Sequence, residues 1–234
     1  MSTVDGLSLG AAPVLTAQGP DQLLRTIQQI GLSHYSIEEL QHEAVVGEGE
    51  SFRVERCVYN KAVVAVKHVK LGHSQANVQS SYHRLQSVLL EIQIMRHSPL
   101  KDHPNILSAL GYGWKSHGER LLPYVVVEYA VHGCMRAWLR GTARELKTKF
   151  KLAGDIASGL EALHVCDIIH GDLKLDNILV VPAPAREVQV VAKLCNFGHS
   201  IILRNGTRDF KYFGTILYIA ASDSFLEAIQ LIIV

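Results

Sequence analysis

His170-Gly171-Asp172-Leu173-Lys174-Leu175-Asp176-Asn177 is the stretch that decides the fold and the chemistry of this sequence, because it holds three different reactive side chains. Asp172 offers a carboxylate that can accept a proton from an incoming hydroxyl group. Lys174 can neutralise charge on a group that is being transferred. Asn177 offers an amide oxygen, a ligand for hard cations such as Mg²⁺. The stretch therefore predicts phosphoryl transfer, against the alternative of an ordinary polar turn.

A second segment, Asn196-Phe197-Gly198, follows farther along the chain. Its first residue is an amide at a position where Mg²⁺ favours a carboxylate, since this ion prefers anionic oxygen. Loss of one preorganised electrostatic group typically costs about 10²–10³-fold in rate. We therefore expect Asn196 to be a weak metal ligand. Two alternatives stay open: the amide is harmless, or Glu48, Glu50 or Asp176 compensates for it.

The composition is that of a globular chain with a packed core. Among its 234 residues, 48% are hydrophobic, 19% are charged and the formal net charge is +1. This length suits one large domain or two small lobes around a cleft. Binding to a nucleic-acid backbone needs clustered lysines and arginines, and the sequence has no basic run. We therefore predict no nucleic-acid partner.

The cysteines and the termini indicate the cellular location of the chain. Four scattered cysteines, without a C-x-x-C pair, favour a reduced intracellular protein, which we place in the cytoplasm. The first residues carry no secretory signal pattern. No apolar run approaches the roughly 20 residues that span a bilayer, and the apolar tail from Leu226 to Val234 is far too short. We predict no membrane association.

The chain divides into two regions of different periodicity. After Ala44, apolar residues alternate, which predicts an antiparallel strand, glycine loop, strand, turn and strand. A helical pattern follows over 81–97, and a second one, with Phe150 on its apolar face, covers 146–164. Before Ala44, the pattern predicts a short helix that Asp21 would cap, with Leu23, Leu24, Ile27 and Ile30 on one face. After 164, an apolar segment at 178–181 and a strand at 188–194 flank a predicted hairpin turn at 182–185. A strand-rich first part and a helix-rich second part, joined near residues 129–133, predict two lobes with a cleft between them.

Two features of the strand-rich part, a pair of glycines and a lysine, have candidate roles toward phosphate. Gly47 and Gly49 let the backbone approach a phosphate where a Cβ would intrude, although a flexible hairpin turn has the same pattern. Lys67 ends an apolar strand, where an ammonium group needs a partner. Glu91 is the candidate partner, on a helix whose other face is apolar. Such a pair would hold the ammonium toward nucleotide phosphates.

In this combination the chain resembles the eukaryotic protein kinase family over roughly residues 44–221. The matching motifs are 47–54, 64–67, Glu91, 127–129, 170–177 and 196–198, in the order of the family. The resemblance implies an α+β, two-lobed fold with an antiparallel β-rich small lobe, a helical large lobe and ATP at the hinge. Lys174 and Gly214-Thr215 are similar to the serine/threonine branch, which implies transfer of the γ-phosphate to serine or threonine of a protein substrate.

The resemblance also implies a set of site residues. Asp172 and Lys174 would be catalytic, and Mg²⁺ would bind Asn177 and, weakly, Asn196. Glu128 to Ala130 would offer backbone groups to adenine, with Val127 behind it. ATP would contact Gly47, Gly49, Val54, Ala65, Lys67, Glu91, Val127, Glu128, Ala130 and Leu179.

The implied domains are a leader, two lobes and a tail. A partly flexible leader with a short helix covers residues 1–40, and the ATP-binding small lobe covers 41–129. A partial large lobe with the catalytic loop and activation segment covers 130–222, and an atypical apolar tail covers 223–234. The large lobe of the family continues through further helices, so we expect a truncated domain.

Three residues depart from the family pattern. Phe52 stands at the third glycine position, Gly171 replaces an arginine that normally receives an activation-loop phosphate, and Asn196 replaces the metal-binding aspartate. The leading hypothesis is an ATP-dependent serine/threonine kinase. The alternatives are a pseudokinase that binds nucleotide or a protein partner, and a nonfunctional truncated kinase.

Overall fold

A computed structural model describes residues 9, 15–17, 19–49, 52–71, 78–118, 120–141 and 143–203. Predictions that fall on Glu50, Thr215 and the tail 223–234 lie outside the described residues. The described chain divides into two compact units. We call 15–96 with 108–129 the strand unit, and 97–107 with 130–203 the helical unit.

A six-stranded sheet forms the strand unit. Its order is β1-β5-β6-β4-β3-β2, with β1 parallel to β5 and every other neighbouring pair antiparallel. The strands are β1 Ser33–His34, β2 Gln41–Glu48, β3 Phe52–Tyr59, β4 Ala62–Val69, β5 Ala109–His117 and β6 Arg120–Glu128. The predicted turn joins β3 to β4 through Asn60 and Lys61, whose φ angles of 47° and 66° suit a tight two-residue hairpin.

The two faces of this sheet carry different kinds of side chain. One face carries a buried apolar cluster of Leu40, Cys57, Val64, Val66, Tyr124 and Val126. Because successive side chains of a strand point to opposite faces, Lys67 lies on the other face of β4 from Val66. We call the face of Val66 the apolar-cluster face and the face of Lys67 the lysine face.

Two helices complete the strand unit: α1 Pro20–Gln29 and α2 Val78–Arg96. Helix α1 buries Leu23, Leu24 and Ile27, the face that the sequence predicts. Its N-cap is Gly19 with Pro20 in the first turn, so Asp21 is not the cap that its residue type suggests. The helix ends before Gly31, whose φ of +77° favours glycine.

The helical unit contains α3 Met135–Gly141, α4 Leu146–Val165, β7 Ile168–Ile169, β8 Ile178–Pro182, β9 Val190–Leu194 and β10 Ile201–Ile202. Strands β8 and β9 form the predicted antiparallel hairpin, and β7 pairs antiparallel with β10. Helix α4 buries Leu152, Ile156, Leu160 and Leu163. Phe150, expected on the same face, is 45% exposed because it lies at the edge of the apolar stripe.

A buried carboxylate ties α4 to the β8–β9 hairpin. Both oxygens of Asp155 accept hydrogen bonds from the Arg186 guanidinium, at 2.8 and 2.9 Å, and one also accepts the Ala192 amide at 3.0 Å. Sequence patterns did not single out this contact, because it joins residues far apart in the chain. None of the described helices is both long and apolar enough to cross a membrane.

Candidate active site

A glycine in a left-handed conformation begins the loop between β7 and β8. Gly171 has a φ of +78°, and a Cβ there would lie 2.1 Å from the carbonyl oxygen of His199. No side chain fits this space, and L residues are strained at this φ. The glycine at this position therefore has a structural reason: an arginine there would combine a strained φ with a collision at its Cβ.

His170 anchors the same loop from within the protein. Its Nε2 lies 3.1 Å from the carbonyl oxygen of Cys195, and its Nδ1 accepts the Asp172 amide at 3.4 Å. Burial is the main cause that lowers the pKa of His170 to about 4, so the ring is neutral at pH 7. Because a carbonyl only accepts, Nε2 carries the proton and donates it to Cys195. Ser200 adds a hydrogen bond from its hydroxyl to the His170 carbonyl at 2.9 Å.

The structure brings Asp172, Lys174 and Asn177 together. The Lys174 ammonium lies 2.7 Å from Asp172 Oδ2. Asn177 Nδ2 donates to the same Oδ2 at 2.8 Å and to the Asp172 backbone carbonyl at 2.7 Å. The Asp172 side chain is buried, so these contacts compensate for the loss of water around its charge. A carboxylate and an ammonium thus lie side by side, as proton abstraction next to an anionic group requires.

Asn196 also lies at this loop, bonded to the other predicted metal ligand. It has a left-handed φ of 67°, and its Nδ2 donates to Asn177 Oδ1 at 3.0 Å. The oxygen of Asn177 that would hold a cation therefore accepts an amide proton instead. Two amides supply no negative charge, so this donor set fits a divalent cation poorly.

The carboxylates considered as compensation are engaged with cations of the protein. Asp176 accepts Arg136 Nε at 2.9 and 2.8 Å, and Glu48 accepts Lys70 at 2.7 Å. Both pairs are partly solvent-exposed, so they can rearrange at little cost. Glu50 lies outside the described part of the chain.

A second group of predicted residues lies in the strand unit around Lys67. Its ammonium contacts Glu91 Oε1 at 2.5 Å, with Lys67 8% and Glu91 2% exposed. The ring of Phe52 covers the ammonium, with Nζ 4.2 Å from the ring centroid. Phe52, which stands at the third glycine position of the family motif, thus adds a cation–π contact to Lys67.

The strand register places the expected nucleotide contacts of this unit on the lysine face. Val54 is opposite both Lys67 and Gly47, and Ala65 is opposite Val127. Gly49 closes the end of the β2–β3 hairpin by donating its amide to Phe52 at 2.9 Å. The side chains of Val54, Ala65 and Val127 therefore lie on the same face of the sheet as Lys67.

Three further predicted contacts lie elsewhere. The Glu128 carboxylate accepts the Ser108 amide at 2.8 Å, while the Glu128 amide donates to the Ser108 carbonyl at 3.2 Å. Ala130 and Leu179 belong to the helical unit. Leu179 is half-buried there and forms an isolated antiparallel bridge with Cys134.

Comparison with known proteins identifies the family. The model of the protein kinase domain matches residues 40–222, more than half of the 234 residues, and the chain belongs to this family. The predicted recognition and the α+β kinase fold class are thereby confirmed. Protein kinase domains generally use ATP and Mg²⁺ and act on protein substrates.

Relatives with curated names share part of this chain. It is 33% identical over 137 residues to the inhibitor of nuclear factor kappa-B kinase subunit beta of Bos taurus, covering 56% of this chain and 17% of that protein. It is 30% identical over 169 residues to the probable serine/threonine-protein kinase roco7 of Dictyostelium discoideum, which covers 70% of this chain and 6% of that protein. It is 28% identical over 213 residues to ephrin type-B receptor 3 of Xenopus laevis, which covers 89% of this chain and 20% of that protein. The chain therefore spans at most 20% of the length of these three proteins.

Proposed function

We propose that this chain binds ATP and transfers its γ-phosphate to serine or threonine hydroxyls of protein substrates inside the cell. The observation that carries the proposal is the placement of the Lys174 ammonium 2.7 Å from the Asp172 carboxylate. Asp172 accepts the hydroxyl proton, and Lys174 stabilises charge on the transferred group. A relative named as a probable serine/threonine-protein kinase supports the choice of hydroxyl.

Lys67 and Glu91 support the ATP part of the proposal. A buried ion pair pays a large desolvation cost and is weak evidence for a stabilising role. A cation fixed on the same sheet face as the apolar side chains of Val54 and Ala65 instead suits a nucleotide, whose base is apolar and whose phosphates are anionic. In this role Lys67 binds phosphate oxygens while Glu91 orients the ammonium. A bound Mg²⁺ would neutralise phosphate charge, and we propose that the amides of Asn177 and Asn196 hold it weakly.

Phosphate transfer from labelled ATP to a mixture of generic protein substrates, with Mg²⁺ or Mn²⁺, tests the proposal. Asp172→Asn is expected to lower the rate at least about 100-fold, because the base is lost. Asp176→Asn is the matched control in the same loop, since this side chain is exposed and pairs with Arg136. Equal rates for the two variants would refute the role of Asp172. Phosphoamino-acid analysis of the product tests the serine/threonine preference.

A pseudokinase that binds nucleotide or a protein partner without turnover is the second candidate, and the Asn196–Asn177 hydrogen bond favours it. The site then holds ATP through Lys67 alone, without help from a metal. Thermal denaturation with ATP, in the presence and absence of Mg²⁺, separates the candidates. Stabilisation that is independent of Mg²⁺, together with no measurable transfer, supports the pseudokinase. Stabilisation that requires Mg²⁺, together with turnover, supports the enzyme.

A further inference from the structure

A cluster of two histidines and a carboxylate lies on the sheet face opposite Lys67. His42 on β2 is opposite Cys57 on β3, and Glu55 precedes Cys57 by two residues, so their side chains share one face. On β4, His68 is opposite Arg53, which is again two residues from Glu55. Three adjacent strands therefore bring these side chains together on the apolar-cluster face, although they are far apart in sequence.

The potential ligand atoms converge. His42 Nδ1 lies 2.6 Å from Glu55 Oε2, and His68 Nε2 lies 3.2 Å from the same oxygen. All three atoms are within 4.8 Å of one another. Two ligands of a tetrahedral zinc ion are separated by about 3.3 Å, given bonds of about 2.0–2.1 Å. Small side-chain adjustments therefore suffice to place one ion between the three atoms.

His68 provides an independent indication. Its Nε2 is buried and has no aligned hydrogen-bond partner among the described residues, although it lies 3.2 Å from Glu55 Oε2. A buried polar atom without a partner is costly, so such an atom requires an explanation. His68 Nε2 and Glu55 Oε2 lie close together without an aligned hydrogen bond, which is how two ligands of one metal ion are arranged.

The Glu55 carboxylate is the common contact of the cluster, since both histidine nitrogens approach its Oε2. Arg53 contacts Oε1 at 3.0 Å and orients the carboxylate, leaving Oε2 toward the histidines.

We propose that His42 Nδ1, Glu55 Oε2 and His68 Nε2 bind one zinc ion that links strands β2, β3 and β4. Two imidazoles and a carboxylate form a donor set that zinc uses in proteins. Water completes the coordination, since the His42 side chain is 41% exposed and leaves that side open. In the metal-free protein His42 Nδ1 is hydrogen-bonded to Glu55 Oε2 at 2.6 Å. Zinc replaces the proton of this hydrogen bond when it binds Nδ1.

Zinc binding to the untagged protein, measured by competition with a chromogenic chelator, tests this proposal. The parent is expected to bind one equivalent, and His42→Ala and Glu55→Gln are each expected to weaken binding at least about tenfold. His83→Ala is the matched control, because this histidine is exposed on α2, away from the cluster. Saturating zinc is expected to raise the Tm of the parent and of His83→Ala by roughly 5 °C, but not that of His42→Ala.

Three results would overturn the site. The parent binds no zinc, or His42→Ala and His83→Ala bind it equally, or zinc leaves the parent Tm unchanged. The His42 side chain is 41% exposed, so its replacement keeps the test valid even if Glu55→Gln fails to fold. Replacement of zinc by Co²⁺ adds a second readout: intense visible absorption in the parent that is lost in His42→Ala supports the site. The same spectrum in both proteins contradicts it. The test is independent of kinase activity.

Discussion

The side-chain amide of Asn196 donates a hydrogen bond to Oδ1 of Asn177 over 3.0 Å. This contact joins the two positions where the family resemblance implies metal ligands. Asn177 in turn donates to Asp172, so the two amides and the carboxylate form one hydrogen-bonded chain. These three side chains thereby connect the loop of residues 170–177 to Asn196.

Restoring the carboxylate is expected to make the site depend on metal. Asn196→Asp removes the amide donor, which costs about 1 kcal/mol of folding stability, and adds the anionic oxygen that Mg²⁺ prefers. We expect the rate of phosphate transfer to rise by at least about tenfold and ATP to stabilise the variant more strongly with Mg²⁺. Initial rates and Tm values across a Mg²⁺ titration measure both effects.

Asn60→Asp is the control for that variant, since it adds the same charge in the turn between β3 and β4. It should leave the Mg²⁺ dependence unchanged. If Asn196→Asp behaves like this control, Asn196 does not limit metal binding.

Replacing Gly171 is expected to destabilise the helical unit. An added Cβ would lie 2.1 Å from the His199 carbonyl oxygen at a φ of +78°. Gly171→Ala should lower the free energy of unfolding by about 2 kcal/mol or more, through strain and collision together. Urea denaturation followed by circular dichroism measures the change.

Gly154→Ala is the matched control on α4, where an added Cβ would meet nothing within 4 Å. It should be neutral or slightly stabilising, because alanine favours helix over glycine. Equal stability of the two variants would show that the loop around Gly171 relaxes freely.

The contributions of Lys67 and Glu91 to folding stability are expected to be strongly coupled. Glu91→Gln leaves the buried ammonium without its counter-charge and should cost about 3 kcal/mol of stability. Lys67→Met should cost a similar amount and also abolish stabilisation by ATP. The double variant Lys67→Met/Glu91→Leu should recover most of the stability but not the ATP response, as Tm measurements with and without ATP would show.

An exposed pair provides the control for this coupling. Lys147→Met breaks the contact with Glu187 at the protein surface, where solvent screens the charges. We expect no measurable change in Tm. Additive costs in the Lys67 and Glu91 double variant would contradict a buried, coupled pair.

His170 is expected to make folding stability depend on pH below neutrality. Burial lowers its folded pKa to about 4 from 6.5, so between these values the unfolded chain binds the proton and the folded protein does not. The contribution of this group to stability is therefore full above about pH 6.5 and decreases as pH falls toward 4, by about 3 kcal/mol in total.

His170→Asn removes this titration and should flatten the pH profile of the unfolding free energy over that range. Burial also lowers the pKa values of His68, His103 and His164, so a shallower slope remains. Only the difference between parent and variant reports on His170. Parallel profiles for the two proteins would show that His170 takes up its proton in the folded state.

Local pattern accounts for the elements that the sequence predicts well. The apolar face of α1, the run of β3 and β4, and the β8–β9 hairpin each follow from the spacing of neighbouring residues. The partner of Lys67 was also predictable, because a buried ammonium needs an anion and Glu91 is the acidic residue on the next helix. The cap of α1 was predicted wrongly, since Gly19 and Pro20 act together at its start.

The sequence alone determined the family and the candidate site residues, because each motif consists of residues a few positions apart whose types the chemistry requires. Only the tertiary structure decided how those side chains are engaged. The Asn196–Asn177 contact, the collision that reserves Gly171 for glycine, and the meeting of His42 with His68 all join separate segments through loop geometry or strand register. Such distances depend on the packing of the whole chain, so no local pattern contains them.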